Sequence, residues 1–217
     1  MKLKIAFAMI ALTAFVVLPA FAAEAPRRYI GAGKGMESIV GLKDKHRVLT
    51  LKYIPSVVVK EALTTPLNKK VFIADVINES VKPEVVGENT EDSDRPITIY
   101  SKEASEAAAF AKAALVKELS NAGMAINTAQ ANADRVIKIT LVKFWCQETE
   151  TYKSVIRVKV SIQDQYGKEL YAAIYTGSAQ NFGRSLSAEN YNQTFSDSVA
   201  GVAEEMLKDQ ALIKALK

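Results

Sequence analysis

The sequence predicts an α+β fold: a single domain with a mostly antiparallel mixed sheet of about five to six strands, covered on one face by two helices. Three observations carry this. First, between Asp134 and Thr176 three extended segments follow one another through short polar turns. In the middle segment Ile156, Val158, Val160 and Ile162 alternate with Arg157, Lys159, Ser161 and Gln163, the two-residue period of a half-buried antiparallel strand. Second, the segment before it puts Ile137, Ile139 and Leu141 on one face, and the segment after it offers Leu170, Ala172 and Ile174 for the same face. Third, two stretches with helical apolar spacing, 101–123 and 187–216, supply the cover. Burying the four aliphatics of the middle strand stabilises the fold by roughly 6–12 kcal/mol, an upper bound because an unfolded chain already hides some surface.

In chain order, residues 1–22 read as a cleaved export signal. Lys2 and Lys4 precede an uncharged apolar run from Ile5 to Leu18, and Ala20-Phe21-Ala22 supplies small residues at the positions a signal peptidase reads. The run is short for a span of about 20 residues, so no integral span is expected after cleavage. Residues 23–45 read as a flexible linker. Their Gly31-Ala32-Gly33-Lys34-Gly35 cluster lacks the spacing, the Ser or Thr, and the preceding strand of a phosphate loop. The domain is then expected over 46–217.

Residues 47–60 are a strand candidate with an edge or bulge at Pro55, and 64–68 turn the chain. Val71, Ile73 and Ile77 alternate with Phe72, Ala74 and Val76 in a second strand that is apolar on both faces except at Asp75, the pattern of a central strand. Residues 81–100 form a long polar loop bearing Glu84, Glu88, Glu91, Asp92, Asp94 and Arg95. Counted from Glu88 as an EF-hand, position six is Ser93 and position twelve Ile99, so the loop lacks the glycine and the bidentate glutamate that calcium requires. Loops of this length are often functional, and these six residues are the candidate partner-binding set.

Ser101 is the expected cap of the first helix, whose Ala104, Ala107, Ala108, Ala111, Ala114 and Leu115 share a face, with Gly123 at its end. Residues 124–128 are a short strand or turn. The meander follows, with Gln147 to Lys153 as a polar connection and Gly167 in the second turn; Tyr171 and Tyr175 are expected to face away from the aliphatic row. The second helix runs from a cap at Ser187 to near Leu216, with Tyr191, Phe195, Val199, Val202 and Met206 on one stripe.

Composition narrows function mainly by exclusion. The formal charge of +4 falls to +2 when the signal takes Lys2 and Lys4 with it, and no run of cations along the chain makes the stripe of a nucleic-acid binder. Cys146 is the one cysteine and His46 the one histidine. No internal disulfide is available, and no Cys–His pair suggests a nucleophile; Cys146 reads as a buried small apolar residue. No residue is assigned to catalysis, to a cofactor or to a metal.

The turn Asp164-Gln165-Tyr166-Gly167-Lys168, the strand from Leu170 to Gly177 and the ending Met206-Leu207-Lys208-Asp209-Gln210-Ala211-Leu212-Ile213 resemble the YajG-type family of small Gram-negative envelope lipoproteins, as do Val71 to Asp75 and Val86-Gly87. That resemblance implies an envelope protein and brings no catalytic residues with it. The lipid-bearing cysteine at the cleavage point is missing, which implies a periplasmic form without a lipid anchor. The expected function is a non-enzymatic accessory or binding module that recognises an envelope protein, a glycan or a lipid component, with no nucleic acid as partner. Two alternatives stand beside it. One is a glycan hydrolase using Asp75 with Asp92 or Asp94. The other is a self-assembling structural protein, a homo-oligomer paired through the 48–60 edge.

Overall fold

The computed structural model describes residues 46–63 and 67–217; the expected signal and linker lie outside the described residues. Its nine strands are β1 (His46–Leu49), β2 (Val71–Ile73), β3 (Ile77–Asn78), β4 (Val85–Asn89), β5 (Ile97–Ser101), β6 (Ile126–Asn127), β7 (Arg135–Glu148), β8 (Thr151–Asp164) and β9 (Glu169–Phe182). Its α-helices are α1 (Glu106–Asn121), α2 (Ala188–Lys208) and α3 (Gln210–Leu216), with a single 3₁₀ turn at Gln130–Asn132.

All nine strands join one sheet built on the meander. β7 pairs antiparallel with β8 along its whole length, and β8 likewise with β9. The other edge of β7 is shared by three short strands running parallel to it: β2 at Arg135–Ile137, β3 at Thr140–Leu141 and β4 at Cys146–Glu148. β6 pairs parallel with β2, β5 antiparallel with β4, and β1 parallel with β5. The α+β single domain and its mixed sheet, antiparallel along the long strands, are therefore as expected, whereas the strand number is not. Strands of two to five residues are too short to show a period, and five of the eight pairings are parallel.

The core forms where the alternation places it. Ile156, Val158, Val160 and Ile162 are fully buried with Ile137, Ile139 and Leu141 across β7. β9 departs from expectation by one residue. A register shift between Ile162 and Gln163 opposes Tyr171, Ala173 and Tyr175 to the buried row and turns Leu170, Ala172 and Ile174 outward. A shift of one residue exchanges the two faces of a strand. Gly167, at φ 84°, closes that hairpin.

The helices lie on the inner face. In α1 Ala107, Ala108, Ala111 and Ala114 are buried with Phe110, Leu115 and Leu119, whereas Ala104 precedes the helix and is exposed. The expected cap Ser101 instead ends β5, where its N–H donates to the Glu84 carbonyl at 2.8 Å; Ser105 occupies the cap position. In α2 the whole predicted stripe is buried, and Ser187 accepts from the Asn190 N–H at 3.3 Å. The expected single C-terminal helix is two. Asp209 takes an extended ψ of 101°, and its Oδ1 caps α3 by accepting from the Ala211 and Leu212 N–H groups at 2.9 and 3.2 Å.

Two further expectations are corrected. After Leu49 the chain is not a strand, because α2 and α1 take over its backbone groups. Asn192 Oδ1 accepts from Lys52 N–H and Asn192 Nδ2 donates to the Thr50 carbonyl; Ser196 Oγ accepts from Ile54 N–H, Asp197 Oδ1 from Ser56 N–H, and Glu106 Oε1 from Leu51 N–H. Side chains of two helices thus do for this strap what a neighbouring strand does for a β-strand. The 71–77 segment is two strands broken at Asp75, and Ile77 is exposed, so it is not a strand covered on both sides.

Candidate functional site at the hairpin end

The expected loop 81–100 is instead the hairpin of β4 and β5 with a tip at 90–96. β4 runs parallel to the end of β7, with Asn89 opposite Glu148, so the tip lands beside the two-residue turn Thr149-Glu150. Thr90 N–H donates to the Glu148 carbonyl at 2.8 Å, and Gln147 Nε2 donates to Thr90 Oγ1 at 3.2 Å. The segment leaving β9 meets both. Arg184 reaches Glu91 at 3.5 Å and Glu150 at 3.2 Å, joining hairpin tip, turn and loop at one end of the sheet. Each pair is exposed and adds little stability. Together they mark where three loops meet.

Beneath Arg184 lies Glu148, fully buried. Its Oε1 accepts from the Leu186 N–H and its Oε2 from the Tyr191 hydroxyl, both at 2.9 Å. Tyr152 packs beside them, its hydroxyl accepting from Ser187 N–H at 2.9 Å and its ring edge-on to Tyr191. Burial pushes both phenols above their ordinary range, and the Glu148 charge adds to this. Burial, again helped by Glu148, also pushes the Cys146 thiol up. A thiol so placed is held protonated and is not activated as a nucleophile.

The segment over this cluster is strained. Ser185 and Leu186 sit at φ 83° and 53°, a left-handed conformation uncommon for side-chain-bearing residues. Such residues cost about 1–3 kcal/mol each and persist where the surroundings hold them. The Leu186 N–H on the buried carboxylate is the hold. The cluster is thus a clamp, and Arg184 is what it presents.

At this level of architecture the chain has a solved counterpart. Its fold matches a DUF330-family protein from Xanthomonas campestris. The likeness has a TM-score of 0.52 at 10% identity and covers 78% of this chain and 96% of that one. A PelC dodecamer from Paraburkholderia phytofirmans gives 0.43 at 15% identity over 69% and 96% of the two chains, and a minor lipoprotein from Acinetobacter baumannii 0.33 at 10% over 70% and 93%. The last two scores are too low to bear on fold or function. No protein-family model matches the sequence, and no curated relative does.

Of the six candidate residues, Glu91, Asp92, Asp94 and Arg95 share the exposed hairpin tip. Asp92 Oδ1 accepts from Asp94 N–H at 3.1 Å, and Glu91 is the one tied to Arg184. Glu84 precedes β4, and Glu88 lies within it opposite Gln147 on the outer face, so neither is at the tip. Asp75 is elsewhere. It follows β2 near Ile137 and pairs with Lys112 at 2.5 Å, which holds its carboxyl below the usual range. Measured along β7, it stands roughly 30 Å from the tip. Two carboxylates that share a glycan need less than about 10 Å, so Asp75 and Asp92 or Asp94 do not form such a pair.

Glu148, Tyr152 and Arg184 escaped the sequence reading. The inward alternation of β8 continues through Ser154 to Tyr152, and that of β7 through Cys146 to Glu148. Following both to the turn instead of stopping at a polar connection would have placed the two residues inside. Nothing local marks Arg184.

Proposed function

We propose that this chain is a non-enzymatic accessory module of the Gram-negative cell envelope, exported to the periplasm, which binds a partner through the hairpin tip. The observation that carries the reading is the buried Glu148 clamp, which holds a strained segment beside the acidic tip, where Arg184 meets Glu91. Strain kept at a surface loop points to a use for that loop. The export pattern of 1–22 and the YajG-type resemblance of 164–177 and 206–213 support the envelope setting, and the tip's Asp92 and Asp94 suit a partner with a basic patch. Among the described residues no helix is long and apolar enough to cross a membrane. The test is crosslinking in intact cells with the wild-type chain and with D92K/D94K. The reading expects one specific envelope adduct that the variant loses. The same adduct from both, or none from either, would reject it.

One observation favours self-assembly as a second reading. β9 pairs only with β8 among the described residues, and its 14 residues carry one charge, at Glu169. Long edges without charge or proline invite pairing with another strand. This moves the expected 48–60 edge to the opposite side of the sheet. Light scattering across concentration, with T176K as comparison, tests it: a monomer at every concentration rules out the homo-oligomer.

A further inference from the structure

The helices cover one face of the β7–β8–β9 ribbon and leave the other to solvent. On that open face stand Lys138 and Lys143 of β7 with Lys153, Arg157 and Lys159 of β8, all exposed. Lys143 is directly opposite Arg157, and Thr140 opposite Lys159. Like charges opposed across a ladder destabilise a sheet. Among the described residues no carboxylate reaches any of the five within ion-pair distance. Of the acids on this face, Glu88 lies across Gln147 from Lys153, and Glu169 accepts from the Ser161 hydroxyl at 2.6 Å. The +4 of the whole chain conceals a one-signed field on one face.

We infer that this open face binds an anionic polysaccharide, a chain of sugars bearing carboxylates or phosphates, laid along β8. From Lys153 to Lys159 the strand rises about 20 Å, with exposed cations at Lys153, Arg157 and Lys159. A linear polyanion can follow such a line. The same face carries Thr140, Thr176 and Gln180 to meet hydroxyl groups and the half-buried Trp145 ring to meet a sugar's apolar side. The choice of a glycan over a nucleic acid rests on the export reading above. The surface itself is separate from the hairpin tip and independent of it.

The test measures binding of fluorescein-labelled polygalacturonate to the purified chain, with neutral dextran and phosphatidylglycerol vesicles beside it. Polygalacturonate binds and dextran does not, and binding weakens steeply between about 50 and 200 mM salt. R157E/K159E lowers the affinity by at least about tenfold, while K208E/K214E, an equal charge change on α2 and α3, leaves it within about twofold. R157Q/K159Q, read with the circular dichroism of each variant, gives an intermediate loss and separates lost charge from lost folding. No binding to polygalacturonate, an equal loss in K208E/K214E, or binding to vesicles alone would overturn the inference, the last in favour of a membrane surface. D92K/D94K leaves polygalacturonate binding unchanged, so failure here and failure of the partner reading are told apart.

Discussion

Gly177 of β9 and Ser198 of α2 meet backbone to backbone. A Cβ at Gly177 would collide with the Ser198 carbonyl and stand 2.8 Å from the Val202 nitrogen. No side-chain rotation relieves a clash with a helix backbone, so helix and sheet would have to part. G177A is expected to destabilise the domain by at least about 2 kcal/mol, read from urea denaturation midpoints. A loss below about 0.5 kcal/mol, the range of an indifferent surface change, would mean that α2 does not lie this close.

At the far end of α2, Asp209 joins helix and sheet through charge. Its Oδ2 accepts from the hydroxyls of Tyr171 at 2.5 Å and Tyr175 at 2.7 Å, both from β9. Burial alone would raise its carboxyl, but the two phenols and the Leu212 and Ala211 N–H groups together hold it below the usual range. A carboxyl lowered by folding stabilises fully above its unfolded value, near 3.9. That contribution disappears as pH falls from there through the lower folded value. Melting temperatures between pH 2 and 6 should therefore drop on the acid side in the wild type and drop less in D209N. Asparagine keeps the cap but carries no charge, so the two proteins differ mainly above pH 4 and converge below it.

Glu148 is expected to be the costliest polar residue to truncate. E148A leaves the buried Tyr191 hydroxyl and the Leu186 N–H without an acceptor, at about 1–3 kcal/mol each. E148Q retains one acceptor oxygen and should lose less. Because Leu186 holds the strained segment, E148A should also speed tryptic cleavage after Arg184 more than global instability explains. Equal cleavage rates in wild type and E148A would separate the clamp from the loop.

The strap provides a local test. N192A removes both the acceptor for Lys52 N–H and the donor to Thr50, and D197A removes the acceptor of the Ser56 backbone and hydroxyl. Hydrogen exchange at Lys52, Ile54 and Ser56 should accelerate in these variants while that of β8 changes only with global stability. The expected cost is about 1–2 kcal/mol for each substitution. Uniform acceleration across the domain would show that the strap is not a separate unit.

Much of the architecture was legible because burial leaves a period. The row Ile156 to Ile162, the alanine face of α1 and the stripe from Tyr191 to Met206 are all buried as their spacing requires, since one face of each element meets core and the other water. Short strands leave no such record. β3 and β6 are two residues long and stand beside β7 and β2 because of where the chain returns. The candidate loop was visible as a polar stretch. Its being a hairpin was not, since Val85 to Asn89 contains Gly87 and Glu88 and looks unlike a strand on its own.

By itself, then, the sequence determined the class of the fold, the buried rows of its long elements and the acidic composition of one exposed tip, because each follows from residues near one another in the chain. Only the tertiary structure decided which face of β9 is wet, that Arg184 joins Glu91 to Glu150, and that five cations spread from Lys138 to Lys159 share one surface. Register and cross-strand adjacency depend on how distant segments pair. A one-residue shift at Ile162 reverses a whole strand without leaving a mark in its composition.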